Sequence, residues 1–529
     1  MAYRVEIGLK PGIRDARGEK IKRRVIDDLN ISVGSVRTID VYTVDADLTG
    51  EEIERIATGP LLDPIIQEYS IGRPLARGFD WAIEVGYKPG VTDNVGRTAR
   101  ESVEILLDRR LGPTDGVYTS VLYLIEGTLT REQAERIATG LLANTLIQRF
   151  EIKDGESWKA EIGMGTTVPK VTGSKEIRVA EVNLDVDDEE LLRISSQRVL
   201  ALSLKEMKSL RAYAEDPRVR GERKKIGLGE HLTDCEVEAI AQTWSEHCKH
   251  KIFNALIDYV DDAGNSRRID SVFDTYIRRS TEEIRQRMGG KDWCISVFKD
   301  NAGVMRFDED WNLVFKVETH NSPSALDPYG GALTGIVGVN RDPFGTGKGA
   351  KLIFNVDTFC FAPPDYSKPL PPRLLHPKRI YEGVREGVEH GGNKSGIPTV
   401  NGSLVFDERY AGKPLVYCGT GGIMPRVIHG EPSHEKLARP GDVMVMTGGR
   451  IGKDGIHGAT FSSEELHEES PTSAVQIGDP ITQKRMTDFL LRARDLGLYH
   501  AITDNGAGGL SSSVGEMAKD CDEIGRAHV

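Results

Sequence analysis

The sequence predicts an α+β protein of several domains: two small repeated α/β-plait-like domains, a helical linker, and a larger region built around glycine-rich turns. Three observations carry this. Two long segments of the front part recur about 80 residues further on. Within each copy, strand-like alternation and helix-like spacing follow one another. Glycine supplies 57 of the 529 residues, above the usual share of about 7%, which points to tight turns and close backbone approaches. A chain of 529 residues exceeds one ordinary hydrophobic core, so roughly three to five domains are expected.

The repeat is plain in the residues. YRVEIGLKPGIRDARG (Tyr3 to Gly18) returns as WAIEVGYKPGVTDNVG (Trp81 to Gly96), and ERIATGPLLDPIIQEY (Glu54 to Tyr69) returns as ERIATGLLANTLIQRF (Glu135 to Phe150). Each copy reads strand, turn, helix, strand, helix, strand. Neither clusters histidine, cysteine or carboxylates, so a duplicated structural or docking module is expected, with the two sheets pairing inside one chain. Beyond it, EELLRISSQRVLALSLKEMKSLRAYAED is charged and helical and leads into RVRGERKKIGLG, expected to be a loop.

In LTDCEVEAIAQTWSEHCKHKIFNA, Thr233 and Glu236 form a capping box ahead of an apolar stripe of Val237, Ile240, Ala241, Trp244 and Cys248. At about 100° per residue, His247 and Lys251 share the edge of that stripe while His250 points elsewhere. A histidine bordering a buried face is ordinarily a core residue. The string is not HExxH and its histidines diverge, so zinc is not expected.

VFKVETHNSPSALDPYGGALTGIVGVNRD (Val314 to Asp342) places Lys316, Glu318 and His320 at every second position of a strand. They are expected to share one face, with Phe315 and Val317 turned into a core. Ser322 is expected to cap and Pro323 to start a helix whose free amides suit phosphate, before a flexible glycine tract. FGTGKGAK (Phe344 to Lys351) and HGGNKSG (His390 to Gly396) do not satisfy GxxxxGK[ST], so a Walker-type site is rejected. Further on, Asp479-Pro480 starts a helix with Ile481, Met486, Phe489 and Ala493 inside and Gly497 at its end. YHAIT then reads as a short strand that delivers Asp504 to the turn Asn-Gly-Ala-Gly-Gly. Glu318, Asp342 and Asp504 beside glycine-rich turns, with Lys316 and Arg341 for phosphate, suit Mg²⁺-ATP and an anionic substrate.

A net charge of −12 argues against nonspecific nucleic-acid binding. The six cysteines are scattered without a CxxC pair, which favours a reducing compartment. The opening MAYRVEIGLKPG lacks an apolar signal core and no segment is apolar enough to span a bilayer. A cytoplasmic protein without membrane partners is expected.

At these residues the chain resembles the phosphoribosylformylglycinamidine synthases, also called formylglycinamide ribonucleotide amidotransferases. WSEHCKHKIFNA, FKVETHNSPSALDPYGGALTGIVGVNRD, GKDGIHGATF (Gly452 to Phe461), VQIGDP and DNGAGGLSSSVGEMA stand in that family's order over Leu232 to Ala518. The front repeat resembles two fused copies of its small accessory subunit. The resemblance implies the first half of a tandem aminoimidazole ribonucleotide synthetase-like core, with boundaries at 1–77 and 78–157 for the repeats, 158–230 for the linker, 231–428 for the synthetase-like N-terminal domain and 429–522 for an incomplete C-terminal one.

It also implies conversion of formylglycinamide ribonucleotide, ATP and glutamine-derived ammonia to the amidine, through phosphorylation of the amide oxygen. By motif, His247 takes the catalytic-histidine position and His320 the proton-acceptor position. Lys316 and His250 match ATP contacts, and Glu318, Asp342 and Asp504 match Mg²⁺ ligands. Thr319, Asn321, Ser322, Arg341 and Gln476 match substrate contacts. His250 stands where many small-form members carry tyrosine, and Ser322 replaces a common histidine. The family's core needs a second half, and a glutaminase subunit is expected to supply ammonia. Glu523 to Val529 (EIGRAHV) is expected to be translated library adapter (GAG ATC GGA AGA GCA CAC GTC), making the chain a fragment; the alternative is a genuine short tail. The competing functional readings are another ATP-dependent enzyme of the same fold and a non-catalytic scaffold for a glutaminase.

Overall fold

The computed structural model describes residues 2–171, 178–371, 374–436, 438–449, 457–461, 478–506 and 508–520. The chain divides into two compact units, Met1–Lys175 and Glu176–Val529.

In the first unit, β1 (Ala2–Leu9), α1 (Ala16–Leu29), β2 (Ser35–Asp45), α2 (Gly50–Thr58) and β3 (Gln67–Ile71) are followed by β4 (Trp81–Tyr87), α3 (Asn94–Leu107), β5 (Gly116–Glu126), α4 (Arg131–Ile137) and β6 (Gln148–Asp154). The repeat is therefore a repeat of structure. One six-stranded sheet runs β3-β1-β2-β5-β4-β6, and the copies meet where β2 and β5 pair antiparallel from Ser35 opposite Glu126 to Asp45 opposite Gly116.

Local chemistry repeats too. Asp15 caps α1 by accepting from Gly18 N at 2.7 Å and pins it to β2 by accepting from Thr38 N at 2.6 Å. Asp93 caps α3 likewise, from Gly96 N at 2.8 Å and Thr119 N at 2.6 Å. A Cβ on Gly18 or Gly96 would overlap the carbonyl oxygen of Val36 or Val117, so glycine lets each helix lie directly on its strand. Two apolar clusters fill this side, one around Val25, Ile83, Ile125 and Ile137, the other around Val5, Val44, Ile56 and Val103. On the other face, Ile39, Val41, Leu122 and Leu124 pack with Met164, Phe79 and Trp158.

The second unit begins with β7 (Glu181–Val182), α5 (Asp188–Gln197), α6 (Leu204–Glu215), α7 (Pro217–Lys225) and β8 (Leu232–Thr233). β7 pairs with β8 and closes a small core of Leu191, Leu200, Met207, Leu210 and Val237. The expected RVRGERKKIGLG loop is helical up to Lys225, because Asp216 caps it and Pro217 occupies its first turn.

Next come α8 (Asp234–Thr243) and α9 (Glu246–Lys249). The Thr233–Glu236 capping box forms, but the single helix expected through Cys248 does not. Ser245 caps a new helix by accepting from Cys248 N at 3.2 Å, His250 ends it in the left-handed region at φ 51°, and Trp244 and Cys248 are exposed. The hairpin β9 (Leu256–Val260) and β10 (Ser266–Asp270) and α10 (Arg279–Met288) follow.

The central sheet comprises β11 (Cys294–Ser296), β12 (Gly303–Arg306), β13 (Trp311–Thr319), β14 (Lys351–Phe361), β15 (Thr399–Phe406) and β16 (Leu415–Pro425), with α11 (Asn321–Leu326), α12 (Pro328–Phe344) and α13 (Pro377–Ser395) between them. Its order is β11-β12-β13-β16-β14-β15; only the β14–β15 pair is parallel. Helices α12 and α13 cover one face through Ile336, Val339, Val384, Val388, Phe361 and Val416.

This arrangement corrects three expectations and agrees with a fourth. The polar residues of β13 lie on the helix-covered face, whereas Val317 is 45% exposed and Phe315 is half-buried against Phe354 on the other. The glycine tract is no flexible loop but α12 itself, whose glycines allow close approach: a Cβ on Gly331 would meet the Pro323–Ser324 backbone. Ser322 and Pro323 lie inside the first turn of α11, which starts at Asn321 without a side-chain cap. HGGNKS is the end of α13, with Gly396 capping it at φ 70°, in keeping with the rejected P-loop.

β17 (Val427–Ile428), β18 (Glu431–Pro432), α14 (Gly458–Phe461), α15 (Pro480–Asp495) and α16 (Gly509–Asp520) complete the described elements. Asp479 caps α15 and Gly497 follows its end, as expected. Ala493 is buried as expected, but the rest of the buried side of α15 differs: Gln483, Thr487 and Arg494 face inward and Phe489 is 61% exposed. Gln483 Nε2 donates to Val337 O at 2.6 Å and Arg494 Nη1 to Gly349 O at 2.6 Å, so hydrogen bonding outweighed apolar spacing. Residues 499–503 form no strand. Among the described residues, no helix is long and apolar enough to cross a membrane.

Candidate functional site

Strand β13 holds the site because its register puts Lys316 and Glu318 under α12. Lys316 faces Thr420 and Glu318 faces Cys418 on β16, and α12 brings Arg341 and Asp342 over them near its C-terminal end. Lys316 Nζ lies 3.3 Å from Glu318 Oε1 and 3.6 Å from Asp342 Oδ2. It also donates to Asn301 O at 2.9 Å.

Asp504 and Asn505 join from beyond α15. Asn301 Nδ2 donates to Asp504 Oδ1 at 3.0 Å, and Arg341 Nη1 to Asn505 O at 3.4 Å. At the end of β13, His320 N donates to Val416 O at 3.0 Å and Asn321 Oδ1 accepts from Val416 N at 2.8 Å. These two bonds pin the turn that carries the histidine.

The electrostatics are those of crowded carboxylates. Burial, then Glu318 and Asp504, push the Asp342 carboxyl up to about 9, so it keeps a proton beside ionised Glu318. Burial opposes the charge on Glu318, but Lys316 and the Asp342 hydrogen bond outweigh it and lower its pKa. Burial likewise opposes the Lys316 ammonium, which Asp342, Glu318 and Asp504 sustain. Enclosure of His320 lowers it to about 4, and burial lowers His247, against the pull of Glu318 and with the push of His250 and Lys316. Both rings are neutral at pH 7.

Three buried polar atoms here have no hydrogen-bond partner among the described residues: His320 Nδ1, Arg341 Nε and Asp342 Oδ2. Such atoms are costly to leave unpaired. Among the described residues no three histidine, cysteine or carboxylate side chains are gathered closely enough to hold a metal ion as they stand. The hard carboxylate oxygens of Glu318 and Asp342 nevertheless suit a divalent cation, whose charge would replace the proton that Asp342 retains. A phosphate fits the adjoining cations.

The structure thus brings Lys316, Glu318, His320, Arg341, Asp342 and Asp504 together, with His247 and His250 in electrostatic reach. Thr319 is exposed at the strand end and Ser322 is buried at 2% exposure. Gln476 lies outside the described residues, as does the segment Glu523 to Val529. Asn301 was missed by sequence reasoning, which had only the unremarkable string KDNAGV to find it by. His457 was missed as well. It adopts φ 65°, and its Nδ1 lies 3.0 Å from Glu238 Oε1 of α8, within the GKDGIHGATF motif.

Four family models match the chain. The phosphoribosylformylglycinamidine (FGAM) synthase model matches residues 2–73, and the formylglycinamide ribonucleotide amidotransferase linker domain matches 191–251. The N- and C-terminal domains of AIR synthase related protein match 299–424 and 439–523. Among curated relatives, the phosphoribosylformylglycinamidine synthase subunit PurL of Thermoplasma acidophilum is 38% identical over 335 residues, covering 63% of this chain and 38% of the relative. That of Methanopyrus kandleri is 41% identical over 297 residues, covering 55% and 35%. The chain therefore spans less than half the length of these relatives. Among solved structures, Thermotoga maritima PurL complexed with FGAR is 30% identical over 57% of this chain and 41% of its own, with a TM-score of 0.42. The same protein complexed with ATP gives 28% identity over 57% and 39%, with a TM-score of 0.38. Accessory-, linker- and synthetase-like segments thus follow in order along one chain, and over 55–63% of its length the chain is similar to phosphoribosylformylglycinamidine synthase subunits.

Proposed function

We propose that the chain carries the ATP-, Mg²⁺- and substrate-handling part of a cytoplasmic enzyme that converts formylglycinamide ribonucleotide to formylglycinamidine ribonucleotide, with ammonia from a glutaminase partner. The observation that carries this reading is the group of orphaned buried atoms, His320 Nδ1, Arg341 Nε and Asp342 Oδ2, gathered beside Lys316 and Glu318. The proposed domain boundaries are those given by the resemblance, and the front repeats are assigned to docking the partner.

In the proposed chemistry the substrate's amide oxygen attacks the γ-phosphorus of ATP and ADP leaves. Ammonia then attacks the amide carbon, phosphate departs with the oxygen, and the surplus proton passes to a base. His320 is assigned that proton: its ring is neutral at pH 7, and the negative phosphates of a bound nucleotide would raise its proton affinity above the value of about 4 that enclosure alone gives. His247, also neutral, is assigned to the reacting centre. Lys316 and His250 are assigned to ATP, and Glu318, Asp342 and Asp504 to Mg²⁺. When bound, the metal neutralises charge on the transferring phosphoryl group. Arg341, Thr319, Asn321, Ser322 and Gln476 are assigned to the substrate.

A complete protein that contains this segment, supplied with ATP, Mg²⁺, formylglycinamide ribonucleotide and ammonium chloride, should release ADP and amidine in equal amounts, whereas the segment alone, which spans less than half the length of its curated relatives, should not turn over. His247→Ala should abolish amidine formation without altering the circular-dichroism spectrum. ATP bound but never turned over would favour a binding module instead, and absence of ATP binding would remove the reading.

A further inference from the structure

Asn301 precedes β12 and touches both halves of the site. Its main-chain oxygen accepts from Lys316 Nζ at 2.9 Å, and its side-chain Nδ2 donates to Asp504 Oδ1 at 3.0 Å. The same Nδ2 lies 3.3 Å from Gly345 O and 3.5 Å from Thr503 Oγ1. With a carboxylate and a carbonyl as its neighbours, the amide must present its NH₂ group, which fixes its orientation.

The segment is held from behind. Asp300 Oδ1 accepts from Asn301 N at 2.7 Å and pairs with Lys436 Nζ at 2.6 Å, while Asp300 Oδ2 accepts from Gly347 N at 2.8 Å. One anchored residue therefore sets a cation from β13 and a carboxylate from beyond α15.

The residue type suits that task. A neutral amide can hold Asp504 Oδ1 while leaving Oδ2 free. An aspartate at 301 would repel Asp504, and a lysine would neutralise it and compete with a metal.

We propose that Asn301 is a positioning residue that fixes Lys316 and Asp504 relative to one another, so that a divalent cation and the phosphates of its nucleotide meet a preset site. This rests on the proposed function and assigns Asn301 no contact with substrate. Groups that orient metal ligands are commonly worth about tenfold or more in metal affinity.

The test is a double-mutant cycle read by the electron paramagnetic resonance of free Mn²⁺, titrated into the full chain with ATP present. Asn301→Ala should weaken Mn²⁺ binding about tenfold beside Asp504, and less than twofold in an Asp504→Ala background. Thermal melting checks each variant's fold. Should Asn301→Ala fail to fold, Asn301→Ser replaces it in the same cycle and should weaken binding only when Asp504 is present. Unchanged affinity, or a loss of equal size in both backgrounds, overturns the positioning role. If the unsubstituted chain binds neither Mn²⁺ nor ATP, the proposed function fails first and takes this inference with it.

Discussion

At the scale of single residues, His320 joins stability to chemistry. Its folded pKa is depressed from 6.5 to about 4 by enclosure of the ring. Above about pH 6.5 the folded and unfolded chains both hold it neutral. As pH falls from about 6.5 to 4, the unfolded chain takes up a proton that the fold refuses, so stability declines through that window. The loss attributable to this ring is at most about 3 kcal/mol. His320→Gln cannot titrate, so its urea stability should fall less between pH 7 and pH 4 than that of the unsubstituted protein. Parallel pH profiles would show that the ring is not shut off from water. The strand periodicity that places Lys316, Glu318 and His320 together was legible because period-2 geometry is local. Which side of the sheet they face was not, because it depends on α12 and α13 packing from further along the chain. The same limit hid Asn301, whose partners Lys316 and Asp504 come from two other segments.

At the scale of elements, the duplicated strands show what a repeat can and cannot reveal. Glu6 of β1 and Glu84 of β4 occupy matching places in the two copies, but their neighbours differ: Arg4 in the first, Ala82 in the second. One guanidinium serves both carboxylates, with Arg4 Nε 2.8 Å from Glu6 Oε1 and Arg4 Nη2 2.8 Å from Glu84 Oε2. All three residues are less than 10% exposed. Arg4→Ala would leave two buried carboxylates without a cation, which costs about 3–5 kcal/mol. Urea unfolding of the protein should report that loss, and a change under about 1 kcal/mol would mean that water replaces the guanidinium. The copies' element order and their joined sheet followed from the repeated motifs. Helix breaks did not: α8 and α9 separate because Ser245 captures an amide that a continuous apolar stripe hides, and α15 turns Gln483 inward because Val337 O offers it a partner.

At the scale of the whole molecule, every apolar cluster among the described residues closes within one of the two units. Those around Val5, Val25 and Ile39 belong to the first. Those around Leu191, Ile336 and Val304 belong to the second, which also holds every residue of the candidate site that the structure describes. Units with separate cores are expected to unfold as separate cooperative transitions. A ligand stabilises only the folded state it binds, by about 2.7 kcal/mol at a hundred times its dissociation constant. Mg²⁺-ATP at that excess should therefore raise one calorimetric transition by several degrees and leave the other in place. Arg4→Ala should do the converse, lowering the transition that the nucleotide leaves alone. If nucleotide and Arg4→Ala moved the same transition, the two units would share a single cooperative fold.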